Sequence, residues 1–236
     1  MAPALVSNAT DLVQYRIEDS QPVDTNAPKG FIERYIHGEM YKHYPEVNSV
    51  IHSHSPEVLP YAVAGVPLRA VYHMAGFLGT EPVPLYDFQD SYNQTESQDL
   101  LIRSPKLGAD LATTFLKMEN STADPPITKP DYNVVLMRKH GFTTFGSDIQ
   151  EAVVRAVYTQ ANAKTQTSAA MIRGAFEALT ERQAQAWVGG TNATAFEPLT
   201  TQEAIDTEPA IRATSDRPWN LWVREVEVQP LYRNNG

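Results

Sequence analysis

The chain has 236 residues and no cysteine. That absence removes disulfides, zinc–thiolate sites, iron–sulfur clusters and cysteine nucleophiles together. No stretch approaches the roughly 18 consecutive apolar residues of a membrane-spanning helix. Basic residues are scarce, with 19 Lys+Arg against 28 Asp+Glu and a formal charge of −9. Without clustered Lys and Arg, neither nucleic acid nor an anionic membrane is an expected partner. Met1–Thr10 carries no basic segment and no apolar segment of the kind a secretion signal needs, so a cytoplasmic protein is expected. Internal repeats and low-complexity tracts are also lacking. Two polar stretches, Gln89–Gln98 and Asn120–Asp131, read as loops, and neither is long enough to separate domains. One domain spanning 1–236 is expected, with 189–236 as a looser, polar tail.

What remains alternates between helical and strand periodicity. Ile32, Tyr35, Ile36 and Met40 recur at helical spacing, which predicts a helix over Phe31–His43, ended by Pro45. Val47–His54 reads as a strand, and Ser55-Pro56-Glu57 as the opening of a short helix. Leu68–Tyr72 and Val83–Tyr86 are further strand candidates, and Pro105–Lys117 a second helix. Val134–Met137 is a buried-strand run with Phe142–Phe145 as its hairpin return. Ser147 and Gln150 form a capping-box pattern at the head of a helix of about 30 residues, with a possible break near Ala163–Thr167. Mixed helices and strands imply a sheet layered with helices.

The sharpest chemical signal is Val50-Ile51-His52-Ser53-His54-Ser55. Residues two apart on a strand share a face, so the two imidazoles lie about 7 Å apart at the backbone and can converge on one ion. His140 follows the second buried-strand run, and a third histidine at a strand end completes three protein ligands with a position left open. A metal so held is a Lewis acid and needs a base beside it. Glu33 is the preferred carboxylate, although Glu39 lies on the same helix and spacing alone does not rank the two. His73, in Val71-Tyr72-His73-Met74, is a candidate donor or acid. His37 is better placed as a structural partner, and His43 as an ordinary cation at a helix C-terminus. A cupin would continue its His-x-His as a strand, which Pro56 and Pro60 prevent. An amidohydrolase barrel needs roughly 250 residues and a second histidine cluster.

Glu33-Arg34-Tyr35-Ile36-His37, Tyr41 and Pro45 through Ser55 resemble the core of the class II aldolase/adducin family. Lys139-His140-Gly141 followed by Gly146, Asp148, Glu151 and Ala152 resembles its second block, and the resemblance runs from about Leu5 to Ala170. It implies a three-layer α/β/α fold around a mostly antiparallel mixed sheet. It also implies a divalent metal, zinc first with manganese, cobalt or iron as alternatives, on His52, His54 and His140, with Glu33 as acid/base. Homotetramers with the site at a subunit interface are implied, and Tyr232 matches a tyrosine contributed by a neighbour.

Two departures shape the expected substrate. Only 32 residues precede Glu33, with Gly30 their only glycine, so the family's phosphate-holding segment looks shortened. The substrate is therefore expected not to be a sugar phosphate, unless the chain start is truncated. Where family aldolases place a tyrosine, 21 residues after the first metal histidine, this chain has His73. The apolar Tyr72, Met74 and Phe77 beside it imply a pocket for a less polar molecule. The first expectation is a metal-dependent lyase that cleaves a hydroxy-carbonyl or keto-acid substrate by aldol chemistry through a metal-stabilised enolate. The alternatives are a decarboxylase using the same site, a non-catalytic adducin-like scaffold, and a non-haem iron oxygenase.

Overall fold

The computed structural model describes residues 3–93, 95, 97–120, 127–180 and 196–235. Among them are helices α1 (Arg34–His43), α2 (Pro105–Thr113), α3 (Ile149–Thr180), α4 (Thr201–Arg212) and α5 (Asp216–Val228). The strands are β1 (Ser49–Ser53), β2 (Leu85–Tyr86), β3 (Val134–Met137) and β4 (Gly141–Gly146). They form one mixed sheet in the order β1-β4-β3-β2, with β4 antiparallel to both neighbours and β2 parallel to β3.

Strand alternation divides the sheet between two cores. Val135 and Met137 of β3, Val50 of β1 and Phe145 of β4 pack with Ile36 and Met40 of α1 and Leu107 and Leu111 of α2. The intervening Val134, Leu136 and Phe142 pack on the other side, against Val58, Leu68, Phe77 and Ala163 of α3. Helices thus cover both faces, giving the expected α/β/α layering. His52 pairs with Thr143, two residues along from the Val50–Phe145 pair, so it shares the face covered by α1 and α2.

Several expected boundaries move for identifiable reasons. The first helix starts at Arg34 rather than Phe31, because Phe31 and Ile32 are exposed and lie outside its buried stripe. The segment after His54 forms a turn and a 3₁₀ helix, Leu59–Ala62. The Ser147/Gln150 cap is replaced by its neighbours: Asp148 accepts the Glu151 amide at 2.7 Å, and Glu151 accepts the Ser147 amide at 2.7 Å. A carboxylate is the stronger acceptor at the positive end of a helix. α3 then runs 32 residues with no break at Ala163–Thr167.

Leu68–Tyr72 is not a strand. Val83 N and Leu199 N bond its Leu68 and Ala70 carbonyls, and two buried side-chain amides of α3 pair most of the rest. Asn162 accepts from Val71 N at 2.9 Å and donates to Arg69 O at 2.7 Å. Gln166 accepts from Arg69 N at 3.0 Å and donates to Pro67 O at 2.8 Å. These four bonds satisfy groups that a sheet neighbour would otherwise take. The polar stretch Gly189–Asp216 contains α4, whose capping box joins Thr200 and Glu203. Residues 181–195, and 121–126 of the Asn120–Asp131 loop, lie outside the described residues. No described helix is long and apolar enough to cross a membrane.

Candidate metal centre

Three backbone features deliver the site. β1 ends with His52 facing the α1 side, and His54 lies just beyond the strand. The β3–β4 turn returns His140 alongside them. In that turn His140 N bonds Met137 O at 3.0 Å, and Lys139 takes φ +60°, a region that favours glycine. Such strain, on the order of 1–3 kcal/mol, concentrates at functional sites. Glu33 is the N-cap residue of α1, yet its side chain makes no capping bond. Its carboxylate turns to the histidines instead.

The groups converge tightly. His54 Nε2 lies 2.7 Å and His52 Nε2 3.3 Å from His140 Nε2. Glu33 Oε1 lies 3.2 Å from His140 Nε2, and Oε2 lies 3.7 Å from His52 Nε2 and 3.9 Å from His54 Nε2. One ligand atom from each of the four residues falls within 4.8 Å of the others.

His52 Nδ1 donates to the Phe142 carbonyl at 3.0 Å, which leaves the Nε2 lone pair facing the centre. The His140 ring lies against Phe88, with centroids 5.7 Å apart and planes inclined by 24°. Burial pushes the His52 imidazole down to about 4, although Glu33 pulls it the other way. Burial also raises the Glu33 carboxyl, but His140 and His52 outweigh it and hold Glu33 below its ordinary value.

This donor set fits a divalent cation. Neutral imidazole lone pairs that face one another repel unless a proton or a metal lies between them, and one proton serves only one pair. Glu33 Oε1 is buried, with the His140 Nε2 atom 3.2 Å away as its neighbour in the cluster. A single cation would engage all four groups. Nitrogen with one carboxylate suits zinc and other first-row divalent ions.

The expected site residues divide into two sets. Glu33, His52, His54 and His140 come together. Glu39 does not join them: it is buried 3.5 Å from both Lys42 and His43. Glu33, His52 and His54 line a cavity of about 720 Å³, together with Tyr15, Phe31, Arg34, His37 and Tyr41. Within one chain, His73, Tyr72, Met74, Phe77 and Tyr232 do not line it. His73 is exposed at the head of a 3₁₀ helix, His73–Leu78. Tyr72 carries a buried, unpartnered hydroxyl whose burial pushes it up to about 12. Met74 and Phe77 border a separate cavity of about 240 Å³ beside Arg155 and Glu208. Tyr232 lies in a groove with Trp219 and Trp222.

Sequence reasoning missed the aromatic wall. A signal for part of it was present, since Glu33, His37 and Tyr41 follow one another at four-residue steps and share a helix face.

The family described as Class II Aldolase and Adducin N-terminal domain matches residues 5–167. The decarboxylase tropJ of Talaromyces stipitatus is 44% identical over 234 residues, which cover 99% of this chain and 82% of that protein. A 3,4-dihydroxyphthalate decarboxylase of Arthrobacter keyseri is 27% identical over 126 residues, covering 52% of this chain and 41% of the relative. An aldolase II superfamily protein from Pseudomonas syringae superposes with a TM-score of 0.58 at 19% identity, over 95% of this chain and 74% of that one. An L-fuculose 1-phosphate aldolase from Glaciozyma antarctica does so with a TM-score of 0.56 at 15% identity, over 97% and 73%. These two likenesses are of fold.

Proposed function

Since the chain belongs to the class II aldolase and adducin family, we propose that this lyase is a metal-dependent decarboxylase of a hydroxylated aromatic acid. The observation that carries this reading is the convergence of three imidazole nitrogens and one carboxylate, of which His52, His54 and Glu33 line an aromatic-walled cavity. The 44% identical relative over nearly the whole chain is named a decarboxylase, which favours carbon dioxide loss over the aldol cleavage ranked first from the motifs. The name of a more distant relative specifies a dihydroxylated aromatic acid, in keeping with Tyr15, Phe31 and Tyr41 on the cavity wall.

His52, His54 and His140 hold the ion, with zinc as the first choice. A bound divalent ion supplies fixed positive charge that draws in substrate oxygens and offsets negative charge as the carbon–carbon bond breaks. Glu33, ionised at the start, takes the proton of a substrate hydroxyl. The bond to the carboxylate breaks, carbon dioxide leaves, and the electron pair stays on the ring carbon. Glu33 returns its proton to that carbon, and water reprotonates the hydroxyl. A carboxylate held below its ordinary value is in the correct state for the first step.

His73 keeps its role as a second donor, delivered across a subunit interface of a homotetramer. Support comes from its exposure and from the exposed apolar side chains Met171, Ile172, Leu221 and Val226, which favour self-association.

The test is to incubate zinc-loaded protein with dihydroxylated benzoic and phthalic acids and to measure carbon dioxide. Release that matches substrate loss, stops with chelator and returns with zinc supports the proposal. Cleavage to an aldehyde without carbon dioxide overturns it.

A further inference from the structure

Arg34 follows the proposed base and lines the same cavity. Its partly buried guanidinium is held by neutral oxygens alone. Nε donates to the Ser20 carbonyl at 2.8 Å, Nη1 to the Phe31 carbonyl at 3.0 Å and Nη2 to the Tyr35 hydroxyl at 2.9 Å. The group also lies over the Tyr35 ring, 4.4 Å from its centroid. Among the described residues no carboxylate comes within ion-pair distance of it. Three of its five N–H donors are thus fixed while its charge stays uncompensated. Arg16, on the same wall, differs: both its Nε and Nη2 are engaged by Asp19, at 3.2 and 2.6 Å.

The holding contact is costly to build. Ser20 is 2% exposed, sits at φ +54° and leaves its hydroxyl unpartnered. It fits against α1 only because residue 38 is glycine, where a Cβ would stand 2.0 Å from the Ser20 hydroxyl. A strained, tightly packed segment that fixes an unneutralised arginine beside the proposed metal centre indicates a ligand-directed cation.

We propose that Arg34 binds a second, retained carboxylate of the substrate and makes the cavity selective for dicarboxylic acids. This rests on the decarboxylase reading of the site. The retained group is the useful target, because a departing carboxylate loses its charge as carbon dioxide forms. An arginine on it would stabilise the ground state more than the transition state. Charge balance points the same way. A bound divalent cation, Arg34 and ionised Glu33 leave an excess of positive charge that a dicarboxylate neutralises and a monocarboxylate does not.

The experiment is calorimetric titration of zinc-loaded protein with phthalate and with benzoate. Wild type is expected to bind phthalate at least tenfold more tightly. In Arg34→Gln phthalate binding drops at least tenfold while benzoate stays within twofold, and in Arg34→Lys the preference is partly kept. Arg16→Gln is the control and should leave the preference within twofold. An unchanged phthalate-to-benzoate ratio in folded Arg34→Gln, or its loss in Arg16→Gln instead, overturns the proposal. If Arg34→Gln does not fold, an unaltered phthalate-to-benzoate ratio in Arg34→Lys, or no preference in wild type, does the same. Carbon dioxide release is scored separately. Preference without release refutes only the decarboxylase reading, and release without an Arg34-dependent preference refutes only the present inference.

Discussion

Gly141 is the residue where fold and site are most directly coupled. It opens β4 immediately after His140 and lies against the end of β1. A Cβ there would stand 2.1 Å from the Ser53 carbonyl oxygen, 3.0 Å from its carbon and 3.1 Å from His54 Cα. All three obstacles are backbone, so no side chain can swing aside. In Gly141→Ala the β1 end and the β3–β4 turn must separate by roughly 1 Å, the usual response to overpacking. His52 and His54 lie on one side of that gap and His140 on the other.

Metal–ligand distances tolerate only about 0.2 Å. Overpacking alone costs about 1–3 kcal/mol, and for a chain of this size each kcal/mol lowers Tm by roughly 2–4 °C. The metal-free variant should therefore melt roughly 2–12 °C below wild type. Its zinc affinity should fall at least about tenfold, which removes about 1.4 kcal/mol of zinc-induced stabilisation. Scanning calorimetry with and without zinc, alongside chelator competition for Kd, reads both effects. Gly174→Ala is the control: it lies on α3 with no atom near its would-be Cβ, so it should stabilise slightly and leave zinc affinity alone. A Gly141→Ala protein that binds zinc as tightly as wild type would refute the reasoning.

Glu33→Gln should retain the ion through the three histidines while carbon dioxide release drops by about 10²–10⁴-fold; full activity would show that the base lies elsewhere. Asn162→Leu strands Val71 N and Arg69 O in a buried setting, so urea unfolding should register a loss of about 2–5 kcal/mol, and a change below about 0.5 kcal/mol would show that the amide ladder is dispensable. The metal-free protein should lose stability as pH falls from about 6.5 toward 4. Buried His52 titrates at about 4 against 6.5 when unconstrained, so in that window the unfolded chain binds more protons. Glu33, also held low, acts with the same sign below its ordinary value of 4.5. The loss should be on the order of 2 kcal/mol in thermal melts, and a His52→Gln variant with an equally steep pH profile would contradict that assignment.

Sequence periodicity located β3 to the residue and α3 nearly so, because both are long or uniformly apolar and are decided by local pattern. The two-residue spacing of His52 and His54, with a third imidazole after β3, already pointed to the histidine cluster that could hold a metal. Leu68–Tyr72 misled for a physical reason. It is largely apolar, but the groups that pair its backbone include the side-chain amides of Asn162 and Gln166, nearly a hundred positions away, which no local pattern records. The cap of α3 was displaced by one residue because serine and aspartate compete for the same amides. The cavity wall escaped notice because Tyr15 and Phe31 precede regular structure, and because Arg34 reads as an ordinary surface cation until its missing counter-ion is seen. His73 and Tyr232, singled out from sequence, do not line the cavity within one chain, and sequence spacing does not distinguish contacts within a chain from contacts between chains.

Anomalous scattering at the zinc edge, from crystals of the zinc-loaded protein, interrogates the metal centre most directly. A single strong peak should stand about 2.0–2.1 Å from Nε2 of His52, His54 and His140, with Glu33 beside it. A zinc peak held by other residues, or three histidines that stay metal-free at saturating zinc, would contradict a centre built from these imidazoles and the enzyme chemistry derived from it.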